Sequence, residues 1–151
     1  MKKRDITKIT TIFIHHSASE WGDADIIRSW HVEDRKWDDI GYNSVITNCF
    51  PSHESWLDRE PDMNSDGCEE DGRDVEYIPA GVRGHNTSSV HICLIGNRSF
   101  TSAQLVTLKN TIDYYKYTYP SIVKVLRHAD ADDRKPECPS LSPKFLRELQ
   151  K

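Results

Sequence analysis

The run Ile12-Phe13-Ile14, leading directly into His15-His16, constrains this chain more than any other stretch. Two β-branched residues around a phenylalanine suit a short strand buried on both faces. Such a strand carries its histidines to its C-terminal end, where open α/β sheets hold their sites. Adjacent side chains on a strand point to opposite faces. Only one of His15 and His16 can therefore face a given site, and its partners must come from elsewhere in the chain.

The elements around this strand alternate. Residues 9–15 read as the first strand. Asp23 or Asp25 can cap a following helix with Ile26, Ile27, Trp30 and His31 on one face, ending near Lys36. Gly41-Tyr42 turns into a second strand over residues 43–49. Residues 50–74 are acidic, with two prolines and two glycines, and read as a long surface loop with a turn at Asp66-Gly67. Residues 75–78 fit a short strand, and residues 90–95 fit the central one. Thr101 to Gln104 is a capping-box pattern opening a helix with Leu105, Leu108, Ile112 and Tyr115 on one stripe. Residues 122–126 form another strand, and Ser142-Pro143 starts a last helix with Phe145, Leu146 and Leu149 apolar. The expected class is α/β: a single domain over residues 1–151, with a central mixed β-sheet flanked by helices and an acidic insertion at about 50–74. Apolar residues of this kind at Trp30, Trp37, Leu105 and Leu108 belong to the core.

Charge and hydropathy exclude some functions. A formal net charge of -4 gives no electrostatic case for nucleic acid. No apolar run approaches the roughly 20 residues needed to span a bilayer, so no membrane insertion is expected. The basic start, Met1-Lys2-Lys3-Arg4-Asp5, is not followed by an apolar signal region. The expectation is synthesis in a cytoplasm without a signal peptide. There the cysteines Cys49, Cys68, Cys93 and Cys138 serve as thiols or metal ligands in preference to disulfides.

Two strands end in histidine, at His15 and at Arg127-His128, and Cys138 follows ten residues later. Three borderline ligands from separate parts of the chain suit zinc, and a three-ligand set leaves the fourth position open, the catalytic arrangement. On spacing alone a second reading stands beside it, in which these are ordinary hydrogen-bonded side chains. Likewise Tyr42 on its own reads as a turn aromatic packed on the sheet.

Six motifs in order decide between these readings. They are Ile12 to Ala18; Trp30-His31; Asp39-Ile40-Gly41-Tyr42-Asn43; Gly72-Arg73-Asp74; Ser89 to Asn97; and His128 followed by Cys138-Pro139-Ser140. Together they resemble the zinc-dependent N-acetylmuramoyl-L-alanine amidases, a family that includes small phage lysozyme-type amidases and peptidoglycan-recognition proteins. The resemblance implies His15, His128 and Cys138 as zinc ligands and Tyr42 as the active-site tyrosine, with His16 turned away. The family often carries a lysine or threonine two residues before the third ligand. Pro136 stands there in this chain and Lys135 one position earlier, so the implied catalytic pair is Tyr42 and Lys135. Where some relatives have a glutamate in the central strand, this chain has Cys93. His31 and His91 read as structural or supporting residues, and His85 as a border of the substrate groove.

The implied activity is zinc-dependent hydrolysis of the amide between N-acetylmuramic acid and L-alanine, by a monomeric phage endolysin. Its partner would be a peptidoglycan muropeptide. The enzyme would be made in the bacterial host cytoplasm and act on the wall after release. The alternative within the same fold is a non-catalytic peptidoglycan-binding domain. Separately, Asp62, Asn64, Asp66 and Gly67 match the first half of a calcium loop, with Arg73 where a bidentate glutamate would stand. Ca2+ at Asp62, Asn64 and Asp66 is therefore a second expectation for this segment, beside a plain solvated hairpin.

Overall fold

The computed structural model describes all residues 1–151. Its frame is a five-stranded sheet, in spatial order β3-β2-β4-β1-β5, in which β1 is Thr11–His16, β2 Ser44–Ile46, β3 Glu69–Asp71, β4 Ser89–Leu94 and β5 Lys124–Arg127. β1 runs parallel to β4 and β5, β2 parallel to β4, and only the edge strand β3 is antiparallel. The sheet is thus mixed, and β4 is its central strand.

The pleat sorts the chain into two layers. Ile12 and Ile14 align with Val90 and Ile92 on one face. That face is sealed by the helix α3, Ser102–Thr118, through Leu108, Ile112 and Tyr115, and by Leu146 of α4, Pro143–Leu149. Phe13 and His15 align with His91 and Cys93 on the other face. There the apolar cover is smaller: Ala24 and Ile27 of α1, Ala24–Ser29, with Ile40, Val45 and Ile95. No helix is long and apolar enough to cross a membrane.

Local signals explain the boundaries. Asp23 caps α1 by accepting the Ile26 N–H at 2.8 Å. Thr101 and Gln104 close a reciprocal capping box at α3. Ser142 caps α4, with proline in its first turn, although Phe145 stays exposed while Leu146 is buried. The α1 helix passes into a π-helical turn over Trp30–Asp34, a rare conformation found at functional sites.

The segment 50–74 departs from a plain loop. It contains a short helix α2, His53–Leu57, with its own serine capping box, and ends in β3. Both were hidden because a five-residue helix and a three-residue acidic strand have no legible period. Conversely, residues 75–78 form only an isolated bridge, Tyr77 to Lys3. The second strand is also shorter than its β-pattern, because Thr47 to Cys49 turn away into the insertion.

Candidate metal centre

The parity argument for β1 places His15 on the α1 face, fully buried, and His16 on the opposite side. There His16 Nδ1 lies 2.9 Å from the Asn97 carbonyl. His128 opens a 3-10 turn just past the end of β5, beside β1. Cys138 returns to the same point after a polar loop, tied back by the Ala129 N–H donating to its carbonyl at 2.8 Å. His15 Nδ1, His128 Nδ1 and Cys138 Sγ converge, with every ligand atom within 4.8 Å of the others.

The spacing can be tested against a metal. His15 Nδ1 is 3.2 Å from His128 Nδ1 and 3.9 Å from Cys138 Sγ. Ordinary tetrahedral zinc bonds set two nitrogens about 3.3 Å apart and a nitrogen about 3.6 Å from a sulfur. The donor set, two imidazoles and a thiol, also fits zinc. Two imidazole nitrogens at 3.2 Å share either a proton, as an N–H···N hydrogen bond, or an ion, so the pair is compatible with a bound cation.

The electrostatics agree. Burial, then the neighbouring imidazoles of His91 and His128, holds His15 well below the usual histidine range. Burial also lowers His128, against the opposing pull of Asp132. Both rings are therefore neutral near pH 7, the form that binds metal. Burial pushes the Cys138 thiol up, offset by the His16 backbone N–H and the charge of Lys135. A metal must displace that thiol proton, so binding releases a proton and tightens as pH rises.

Each of these two imidazoles is held at its far nitrogen. His128 Nε2 faces Asp132 Oδ2 at 3.5 Å, and Arg134 holds that carboxylate, donating from Nε to Oδ1 at 2.9 Å. His15 Nε2 is 2.8 Å from His91 Nδ1. The Asp132 contact is the i,i+4 partner of His128 across a turn, which the sequence spacing could have revealed. The His91 contact is a cross-strand one.

Tyr42 stands beside this cluster, its ring 4.8 Å from that of His15. Burial, followed by the thiols of Cys93 and Cys138, raises its pKa well above the usual tyrosine value, so it is protonated at neutral pH. The loop that delivers it is built tightly. At Gly41 a Cβ would collide with the Ala80 carbonyl and the Trp37 ring. Arg73, from the Gly-Arg-Asp motif, is buried under this loop and donates to the carbonyls of Ile40 at 2.8 Å, Asp39 at 2.9 Å and Ile78 at 2.7 Å. His31, in the π-turn, accepts the Gly41 N–H at 2.9 Å. Burial, then Arg35 and Arg73, lowers its pKa to about 4, so it is a neutral acceptor. Sequence reasoning had no role for Arg73. Its signal is an arginine between two turn residues, which only the buried carbonyls explain.

A cleft of about 350 Å³ opens over the centre, lined by Tyr42, His128, Lys135, Glu137, Cys138 and Trp37 among others. Lys135 therefore borders the same cleft as Tyr42, although it does not stand where the family places its lysine. A larger cavity of about 610 Å³, between β3 and α3, has walls of Glu69, Asp71, Tyr114 and Tyr119 and shares no residue with the cleft. It contains no histidine or cysteine, whereas the smaller cleft holds His128 and Cys138.

The calcium expectation finds no support in this arrangement. Asp62 accepts the Asn64 backbone N–H at 3.0 Å, and Asp66 accepts the Thr101 hydroxyl at 2.7 Å, tethering the insertion to α3. Arg73, at the twelfth loop position, commits its guanidinium to the carbonyls of Ile40, Asp39 and Ile78.

Comparison with known proteins follows the same lines. A family model described as "N-acetylmuramoyl-L-alanine amidase" matches residues 5–140. The endolysin of Enterobacteria phage K11 is 30% identical over 155 residues, covering 93% of this chain and 88% of that protein. Among solved structures, the Ph2119 endolysin from Thermus scotoductus MAT2119 bacteriophage Ph2119 aligns with a TM-score of 0.76 at 24% identity, covering 99% of this chain and 88% of that one. Peptidoglycan recognition protein-LE, solved in complex with tracheal cytotoxin (monomeric diaminopimelic acid-type peptidoglycan), aligns with a TM-score of 0.70 at 21% identity, over 99% of this chain and 82% of that one. The two structures share the fold.

Proposed function

The chain belongs to the N-acetylmuramoyl-L-alanine amidase family, and from that premise we propose that it is a zinc-dependent endolysin cutting the amide between N-acetylmuramic acid and L-alanine. The observation that carries the zinc reading is the convergence of two imidazole Nδ1 atoms and one thiol, all within 4.8 Å of one another, under an open cleft. His15, His128 and Cys138 would hold the ion.

An amide is a weak electrophile, so its cleavage needs a polarised carbonyl, a strong nucleophile and a proton for the leaving amine. A zinc ion held here would supply Lewis acidity toward the carbonyl and a water activated at neutral pH. The protein supplies the rest. Tyr42, protonated and beside the ligands, donates a hydrogen bond to the oxyanion that forms on the substrate. Lys135 borders the cleft as a positive charge for the same oxyanion or a proton source for the amine. The substrate reading, a muropeptide, draws support from peptidoglycan recognition protein-LE, which shares the fold and was solved with monomeric peptidoglycan.

Digestion of purified sacculi, followed by mass analysis with and without a chelator, tests this. The expected result is release of intact stem peptides, abolished by the chelator and restored by zinc. Tyr42→Phe should keep stoichiometric zinc and lose about a hundredfold in turnover. Cleaved glycan strands, or chelator-resistant release, would refute the proposal.

A further inference from the structure

His91 lies in the middle of the central strand, fully buried, and is not among the ligand atoms. It belongs to a chain of four groups that starts at a backbone carbonyl and ends at the metal centre. The Ser89 hydroxyl donates to the His85 carbonyl at 2.7 Å. Ser89 Oγ is also 2.9 Å from His91 Nε2. His91 Nδ1 is 2.8 Å from His15 Nε2. His15 Nδ1 is the atom that faces His128 and Cys138.

The direction of this chain follows from its first member. A carbonyl only accepts, so the single hydroxyl proton of Ser89 goes to His85. Toward His91 the same oxygen can then only accept, which puts the His91 proton on Nε2. Full burial favours neutral imidazoles with one proton each. His91 Nδ1 is therefore a lone pair, and it must receive the Nε2 proton of His15. That leaves His15 Nδ1 bare.

We propose that His91 is a positioning residue that, through Ser89 and the His85 carbonyl, fixes His15 in the tautomer whose Nδ1 is free to bind the metal. The proposal rests on the zinc reading above for its purpose, but the tautomer itself does not depend on a metal.

The surroundings hold the relay in place. The His91 ring stacks on Phe13, with centroids 5.5 Å apart and planes 9° apart. On Gly81 a Cβ would overlap the His91 ring, so glycine there is what gives the imidazole its room. Hemmed in by Phe13 and Gly81, the ring cannot swing away. When an ion replaces the proton that His128 Nδ1 shares with His15, Asp132 beside His128 Nε2, which can only accept, favours the same protonation pattern by a shorter route. One ligand is thus set by a carboxylate near the surface, the other by a neutral relay in the core, where an unpaired carboxylate would be costly.

Two measurements test this. Long-range proton–nitrogen correlation spectra of the metal-free protein should show His15 and His91 protonated on Nε2. Zinc affinity, read by competition with a chromophoric chelator, should then follow the relay. Ser89→Ala removes the acceptor for His91 Nε2, lets the proton move to Nδ1 and pushes His15 toward the wrong tautomer. It should weaken zinc binding about tenfold or more. His91→Leu should weaken it about 10- to 100-fold. His91→Asn, whose Oδ1 sits where Nδ1 was, should restore affinity to within a fewfold of the parent although it is the poorer core residue. A purely structural role would instead favour leucine over asparagine. An Nδ1-protonated His15 in the parent, or parental zinc affinity in Ser89→Ala and His91→Leu, would overturn the proposal. A parent protein that shows the stated tautomers but binds no zinc would sustain the relay and overturn the zinc reading.

Discussion

The two faces of the sheet are made by the same strands, yet they hold different chemistry. On the α3 face, Ile12, Ile14, Val90, Ile92 and Leu94 pack into one apolar cluster with Leu108 and Ile112. On the α1 face the intervening positions of the same two strands are Phe13, His15, His91 and Cys93. That layer buries polar groups, which are costly to desolvate unless hydrogen-bonded, and it satisfies them with relays and carbonyls. The period of two along a strand therefore separates stability from function at single-residue resolution. The first face can be dense because it does nothing else. The second trades apolar cover for a cleft and a set of lone pairs.

This division can be broken on either side. The largest effect should come from the site face. Cys138→Ala should weaken zinc binding by about a thousandfold or more, with the fold retained; isothermal titration against zinc measures it, and near-parental affinity would remove Cys138 from the ligand set. Next comes the sealed face. Ile92→Ala should cost about 2–5 kcal/mol of unfolding free energy by urea melt, because the fully buried side chain leaves a cavity under α3. Its zinc affinity should not change; coupled losses would show that the faces are not independent. The smallest effect concerns pH.

Burial lowers the pKa of His31 to about 4 and of His91 to about 3, and lowers His15, His16 and His128 as well. The unfolded chain binds protons below about 6.5, where these buried rings do not. Stability therefore rises with pH in the window between those values and falls as the solution is acidified. The metal-free protein should lose about 5–10 °C in melting temperature between pH 7 and pH 5. A flat profile would mean that the site-face rings are not neutral in the fold.

Much of the centre was legible because its parts stand at strand ends. β1 ends in His15-His16 and His128 directly follows β5, and parity allowed only one of His15 and His16 into the site. The capping residues Asp23, Thr101 and Ser142 were equally legible, since a cap is a local interaction with a fixed spacing. The insertion was read less well. Its acidic residues look like ion ligands in a list, but Asp62 and Asp66 serve a turn and a helix end in the fold. His91 read only as a structural or supporting residue and Arg73 only as part of a motif, because most of what defines them lies 30 or more positions away in the chain. Arg73 takes the carbonyls of Asp39 and Ile40, and His91 takes His15.

The sequence by itself determined the alternation of strands and helices, the family and the three candidate ligands, because each is written in nearest-neighbour patterns or in ordered motifs. The tertiary structure decided which imidazole nitrogen faces the centre and how Tyr42 is held beside it. Those are matters of partnership between distant groups. A histidine's proton, unlike its position on a strand, is set by whichever donor or acceptor the fold brings to its other nitrogen.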